Sequence, residues 1–220
     1  MKRPLFYLFC SLAAASAEDR IANGSFAGQS TGTVPQKPWI VPTQVTSGED
    51  VSVTLQPLPG QPEEKLWVKF ADANPKVPTG MVTNFAEIKD GRFAAKVYFE
   101  RVGTAFGIYL GSAKVSSPES RIVDFKVLKG GKLSLGDSGV RNKGSFTFEP
   151  GKVYPLFFDF KTDAEGKKVS YQVGLEDSGE ILGSAEVDAR APIAGLRIAT
   201  DSADDQSIVY VSDISLTEKN

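Results

Sequence analysis

The carboxylates whose spacing could do chemistry are Glu186 and Asp188, two apart in Glu186-Val187-Asp188-Ala189-Arg190-Ala191. Alternation along a strand puts both on one face. Hydrolysis of a glycosidic bond needs two such carboxyl groups, about 5–5.5 Å apart in the retaining case. This pair has no acid partner, and a lone pair of carboxylates reads first as a solvent-facing strand edge. Composition closes other routes. The chain has no histidine, and its one cysteine, Cys10, lies in an apolar leader. Imidazole-dependent triads and thiolate nucleophiles are therefore excluded, and any metal would have to be held by oxygen. Asp201-Ser202-Ala203-Asp204-Asp205 is a second acidic stretch, but it lacks EF-hand spacing and reads as a solvated hairpin tip.

The elements that must position such residues are strands. Val51, Val53 and Leu55 alternate with polar residues, as do Phe93, Ala95, Val97 and Phe99. Runs of the same kind span 66–70, 105–110, 122–128, 145–148, 154–160, 169–176, 185–189, 195–200 and 208–216, each β-branched or aromatic and four to nine residues long. Lys89-Asp90-Gly91-Arg92, Lys129-Gly130-Gly131-Lys132 and Asp177-Ser178-Gly179-Glu180 read as hairpin-type turns. Glu149-Pro150-Gly151-Lys152 and 163–167 read as slightly longer loops. No dozen residues repeat apolar positions at helical spacing, so no substantial helix is expected. Turns every 8–15 residues or so describe an all-β, antiparallel two-sheet sandwich rather than βαβ units. Proline-rich segments at 29–42, 56–64 and 72–81 read as irregular connections, which places the functionally available edge in the first third of the chain.

The start of the chain speaks to compartment. Met1-Lys2-Arg3 is basic, Pro4 to Leu12 is mostly apolar, and Ala13-Ala14-Ala15-Ser16-Ala17 offers small residues at A-x-A positions. This reads as a secretory signal peptide over 1–17, followed by one domain over 18–220. The localisation expected is secreted, periplasmic or cell-surface. Without Lys2 and Arg3 the formal net charge moves from −2 to −4. That mild acidity argues against nucleic acid and anionic membranes as partners, and no later segment is apolar enough to span a bilayer.

The two ends of this region carry a resemblance. Asn23-Gly24-Ser25-Phe26 followed by Trp39, and Leu196-Arg197-Ile198-Ala199-Thr200 followed by Ile208 to Leu216 with Ser212-Asp213-Ile214 inside it, resemble the opening and closing strands of secreted jelly-roll modules. The strands between, with the Lys129–Lys132 turn, look like concanavalin-A-like or laminin-G-like sandwiches of bacterial secreted and surface proteins. The resemblance implies a jelly-roll β-sandwich and a carbohydrate ligand. It also implies a structural Ca2+ joining the N-terminal loop at Asn23 to the closing strand at Asp213; no other cofactor is expected. Ala27 stands where the expected Glu would be, and Ser212 where a second Asp is frequent. Jelly-roll glycosidases similar to laminarinases need Glu-x-Asp-x-x-Glu, which fails here at Ala191; lyase-like members need histidine.

Sugar binding by such modules relies on exposed rings stacked on pyranose faces. The resemblance therefore makes Trp39, Trp67, Tyr98, Tyr109 and Tyr171 the candidate ligand residues, with Tyr210 beside them and core packing as the alternative for each. The function expected is a secreted, non-catalytic module binding an extracellular polysaccharide or surface glycan. A structural or protein-interaction module of the cell envelope is the alternative, and a divergent polysaccharide-cleaving enzyme a third reading. Asn23-Gly24-Ser25 also fits an N-glycosylation sequon.

Overall fold

A computed structural model describes residues 18–42, 51–73, 78–103, 105–136, 146–200 and 206–219. The expected leader at 1–17 and the acidic stretch at 201–205 lie outside them. Twelve strands are present among the described residues: β1 Val51–Pro57, β2 Leu66–Asp72, β3 Gly80–Ile88, β4 Asp90–Arg101, β5 Phe106–Gly111, β6 Arg121–Leu128, β7 Lys132–Leu135, β8 Val153–Thr162, β9 Lys168–Leu175, β10 Ile181–Asp188, β11 Ile193–Thr200 and β12 Ser207–Glu218. They form two antiparallel sheets. One has seven strands in the order β1-β2-β12-β4-β8-β9-β10, the other five in the order β3-β11-β5-β6-β7. The expectation of an all-β two-sheet sandwich is met. The described helices are two single 3-10 turns, at Pro118–Ser120 and Lys129–Gly131.

Alternation explains the layers. Phe93, Ala95, Val97 and Phe99 of β4 and Leu156, Phe158 and Phe160 of β8 point between the sheets and are fully or nearly fully buried. One apolar core draws on residues from Ile21 to Leu216. Its centre is aromatic: Phe158 packs edge-on to Phe93 at 5.1 Å and to Phe125 of the facing sheet at 5.0 Å. Each such ring removed from water contributes about 1.5–3 kcal/mol. Polar bonds also join the sheets: the Tyr171 hydroxyl donates to the Asp124 carbonyl oxygen at 3.1 Å, and the Thr200 hydroxyl donates to Asp72 Oδ2 at 2.6 Å.

Four local expectations change. β3 lies in a stretch whose sequence reads partly as loop, because Val82 faces out while Thr83 is buried inside, which inverts the apolar alternation. β7 is only Lys132–Leu135, too short to stand out as a pattern. Of the run expected at 145–148, residue 145 lies outside the described residues and 146–148 do not form a strand; Thr147 makes a single bridge to Lys132. Finally, Lys89–Arg92 is not a hairpin turn, since β3 and β4 belong to different sheets and the chain changes layer there. Gly91 is needed at that corner for closeness, because an added Cβ would come within 2.9 Å of both the Phe160 ring and the Thr217 carbonyl oxygen. The turns at Gly130 and Gly179 do use positive φ, +76° and +69°.

The two end segments meet. Asp19 bridges Thr217, Arg20 N–H donates to the Leu216 carbonyl, and Ile214 N–H donates to Gly24 O at 3.0 Å. A Cβ on Gly24 would lie 1.8 Å from Ile214 O. Residues 19–24, with Asn23-Gly24 at their end, are thus the strap that ties the N-terminal segment to β12.

Candidate functional site

The outward faces of the strands decide where a ligand could sit. On the seven-stranded sheet, cross-strand register lines up polar side chains in rows. Arg92 (β4), Asp159 (β8), Gln172 (β9) and Ser184 (β10) are consecutive cross-strand partners. Beside them run Asp90 (β4), Lys161 (β8), Ser170 (β9) and Glu186 (β10). Neighbouring members of a row stand about 4.8 Å apart, the strand spacing. Apart from Arg92, these residues and Lys219 line an open groove of about 700 Å³, within the size range of small-ligand sites.

The groove is internally wired. Lys219 Nζ contacts Asp159 Oδ1 at 2.7 Å, and Arg92 Nε approaches the same oxygen at 3.8 Å. Gln172 Nε2 donates to Asp159 Oδ2 at 3.5 Å. Lys161 lies 4.0 Å from Asp90, and Ser170 donates to Glu186 at 3.4 Å. Asp188, also on β10, pairs with Lys168 at 2.7 Å; the hydrogen bond from Lys168 holds its carboxyl below the usual range. Glu186 and Asp188 are therefore exposed side chains of an edge strand, as their spacing suggested. Next to the groove, the Phe157 ring lies over Gly174, where a Cβ would come within 2.6 Å of it. The Arg92 guanidinium covers the ring from 4.1 Å.

The five aromatic candidates do not converge. Trp39 is 3% exposed in the core, tilted against Phe26 at 6.0 Å, so the expected exposed ring is corrected to a packing one. Its indole N–H has no hydrogen-bond partner among the described residues; burying about 150–250 Å² of ring outweighs that cost of about 1–3 kcal/mol. Tyr171 is likewise inside, and its burial raises its hydroxyl pKa well above the usual tyrosine range. Tyr109 is on the other sheet, 1% exposed, its ring laid over Gly107 and covered by Arg121 at 4.0 Å. Trp67 and Tyr98 share the outer face of the seven-stranded sheet with Tyr210. Trp67 is 4% exposed there, with Leu58 packed on it and Lys65 5.7 Å above its ring. The 56–64 connection thus packs over this part of the face, and beside the open groove on β8–β10 the first third of the chain borders two further clefts, one of about 530 Å³ at Leu58, Lys65 and Trp67 and one of about 450 Å³ at Phe26, Glu63 and Asp213.

The residues matched to a calcium site are placed differently from one another. Asp213, at a bulge in β12 with φ +52°, accepts Lys65 Nζ at 2.7 Å and Lys96 Nζ at 2.9 Å on the same oxygen. Burial pushes its carboxyl up, but the hydrogen bonds from the two lysines outweigh this and hold it below the usual range. Asn23 takes φ +56°, and its carbonyl accepts the Phe26 amide; the structure gives it a turn role. No group of three or more acidic residues that could hold a metal occurs among the described residues.

Known structures share this architecture. The chain superposes on a portion of a sialidase with TM-score 0.62 at 12% identity, covering 83% of this chain and 17% of the sialidase. It matches the cellulose-induced protein Cip1 with TM-score 0.55 at 12% identity, over 83% of this chain and 91% of that one. It matches SCLam, a non-specific endo-β-1,3(4)-glucanase from family GH16, with TM-score 0.54 at 10% identity, over 87% and 88%. The fold is a concanavalin-A-like jelly-roll sandwich. No family model and no curated protein matches the chain. In this jelly roll the groove residues Asp159, Gln172, Ser184, Ser170, Lys161 and Lys219 do not stand out from the sequence. Their signal is there as the polar positions between Phe158 and Phe160 and between Val169 and Val173, but only the β8-β9-β10 register makes them neighbours.

Proposed function

We propose that the chain is a non-catalytic, extracellular carbohydrate-binding module that takes a glycan in the groove across β8, β9 and β10. The observation carrying this reading is the double row of carboxylate, amide, hydroxyl and ammonium groups spaced by the strand repeat. Sugar hydroxyls both donate and accept, and a face alternating acceptors (Asp159, Glu186) with donors (Gln172, Lys161) meets them pairwise. Rigid strands hold these groups, so little ordering cost falls on binding. The similar sandwiches described as a sialidase and a glucanase lend support to a glycan ligand, and the apolar leader supports export.

Several features favour binding over cleavage. A general acid must carry a proton near the working pH. Asp159 already has both carboxyl oxygens engaged, one by Lys219 and Arg92 and the other by Gln172. Glu186 and Asp188 lack a third carboxylate because Ala191 stands there. No imidazole exists in the chain to substitute.

Affinity electrophoresis through gels containing neutral polysaccharides tests the proposal, with Gln172→Ala and Ser184→Ala as probes that leave the core intact. Retardation of the wild type, weakened about tenfold in Gln172→Ala by loss of a hydrogen bond to ligand, is the expected outcome. No retardation across a broad polysaccharide panel overturns the proposal in favour of a structural role in the cell envelope. Release of reducing ends overturns the non-catalytic claim. Trp39→Ala is unsuitable as a binding probe, since it would report on folding.

A further inference from the structure

The groove carries charged side chains in a particular arrangement. Two of its carboxylates are already matched: Asp159 touches Lys219 at 2.7 Å, and Asp90 faces Lys161 at 4.0 Å. Asp159 is the more enclosed, with 18% of its side chain exposed, so its charge is poorly served by water and depends on that ammonium. Glu186 lies at the open edge, hydrogen-bonded by Ser170 and bathed in solvent. A cationic sugar entering the floor would have to displace Lys219 from Asp159. An acidic sugar would bring a second negative charge beside Asp159 and Glu186, in a protein whose formal charge is already −2. Like charges brought together at a binding surface are costly, and this is how surfaces reject wrong partners.

Lys219 differs from the other groove residues in how it is held. It follows the end of β12, outside the strand, and is tied down by its own N–H donating to Asp90 O at 3.0 Å. Its backbone thus binds one acidic residue of the groove, Asp90, and its side chain a second, Asp159. Immediately before it, Glu218 is ion-paired to Arg20 of the N-terminal strap.

We propose that this groove selects uncharged glycans, with Lys219 as the specificity-determining residue that occupies Asp159 and so excludes cationic amino sugars. The proposal rests on the glycan-binding reading of the same groove and adds the class of sugar. A neutral ring offers hydroxyls to Asp159, Gln172 and Ser184 without breaking the Lys219 contact. Removing the ammonium leaves Asp159 with the more distant Arg92 and opens the floor to a protonated amine.

The test is affinity electrophoresis of the full chain and of Lys219→Gln in three gels: a neutral β-glucan, partly deacetylated chitosan, and polygalacturonate. The wild type is expected to be retarded by the neutral gel alone. Lys219→Gln is expected to raise the ratio of chitosan to β-glucan affinity about fivefold, the worth of one partly exposed ion pair. Wild-type retardation by chitosan or polygalacturonate, with or without retardation by β-glucan, overturns the neutral selection while leaving glycan binding intact. An unchanged ratio in Lys219→Gln overturns the role of Lys219. Retardation by none of the three, nor by a wider panel, defeats the glycan reading itself.

Discussion

Asp213 carries two ammonium groups on one carboxylate oxygen while its backbone sits in the left-handed region. The two demands separate by substitution. Asn tolerates positive φ, whereas Ala at such a position costs about 1–2 kcal/mol. At neutral pH the melting temperature should therefore fall from wild type to Asp213→Asn and further to Asp213→Ala. The pH dependence has a definite sign. A carboxyl held below its usual value contributes stability that is complete above about pH 4, the unfolded value, and is lost as pH falls through the lower folded one. Thermal melts from pH 7 to pH 2.5 should show the gap between wild type and Asp213→Asn closing on the acid side; a gap that persists at pH 2.5 would remove the ion pairs from the account. Gly24→Ala offers a second residue-scale check. With Ile214 O only 1.8 Å from the added Cβ, the strap must lift from β12, and the variant should melt well below wild type.

At the scale of elements, the bond between Tyr171 of β9 and the Asp124 carbonyl of β6 links the two sheets through the core. Tyr171→Phe removes one of the two donors to that carbonyl, which keeps the Gly136 amide at 3.0 Å, and should cost about 0.5–1.5 kcal/mol in urea unfolding; a neutral effect would mean that the bond from Gly136 satisfies the carbonyl alone. Much of this layer is legible in the sequence. Alternation in 92–100 and 154–160 marks β4 and β8 with their buried faces, and Gly130 and Gly179 stand at positive φ in turns that read as such. What is not legible is pairing between strands distant in sequence. Trp67, two residues before Lys69, reads as an outward ring, but only the fold of 58–65 back over it shows that it is covered. Tyr109 looks like a platform until Gly107 and Arg121 are seen packed against its ring. Asp159, Gln172 and Ser184 are ordinary polar positions until register makes a row of them. Period two identifies the face; it does not name the neighbour.

For the whole molecule, the relation to divalent cations follows from the same geometry. A calcium ion at Asp213 would have to displace two lysines from one carboxylate, so neither calcium nor a chelator is expected to move the melting temperature; a rise with calcium reversed by chelation would show that it does so. The strap at residues 19–24 also fixes how the protein meets mechanical load. Asp19 and Thr217 are antiparallel partners, so a tug that separates these two points pulls across the hydrogen bonds between them instead of along the strands. Bonds loaded this way break in succession, as in a zipper, with little resistance from those still closed. Anchored by both ends in a stretched surface layer, the sandwich would first release the strap as slack, and the sheets would feel the strain only after the clasp had opened.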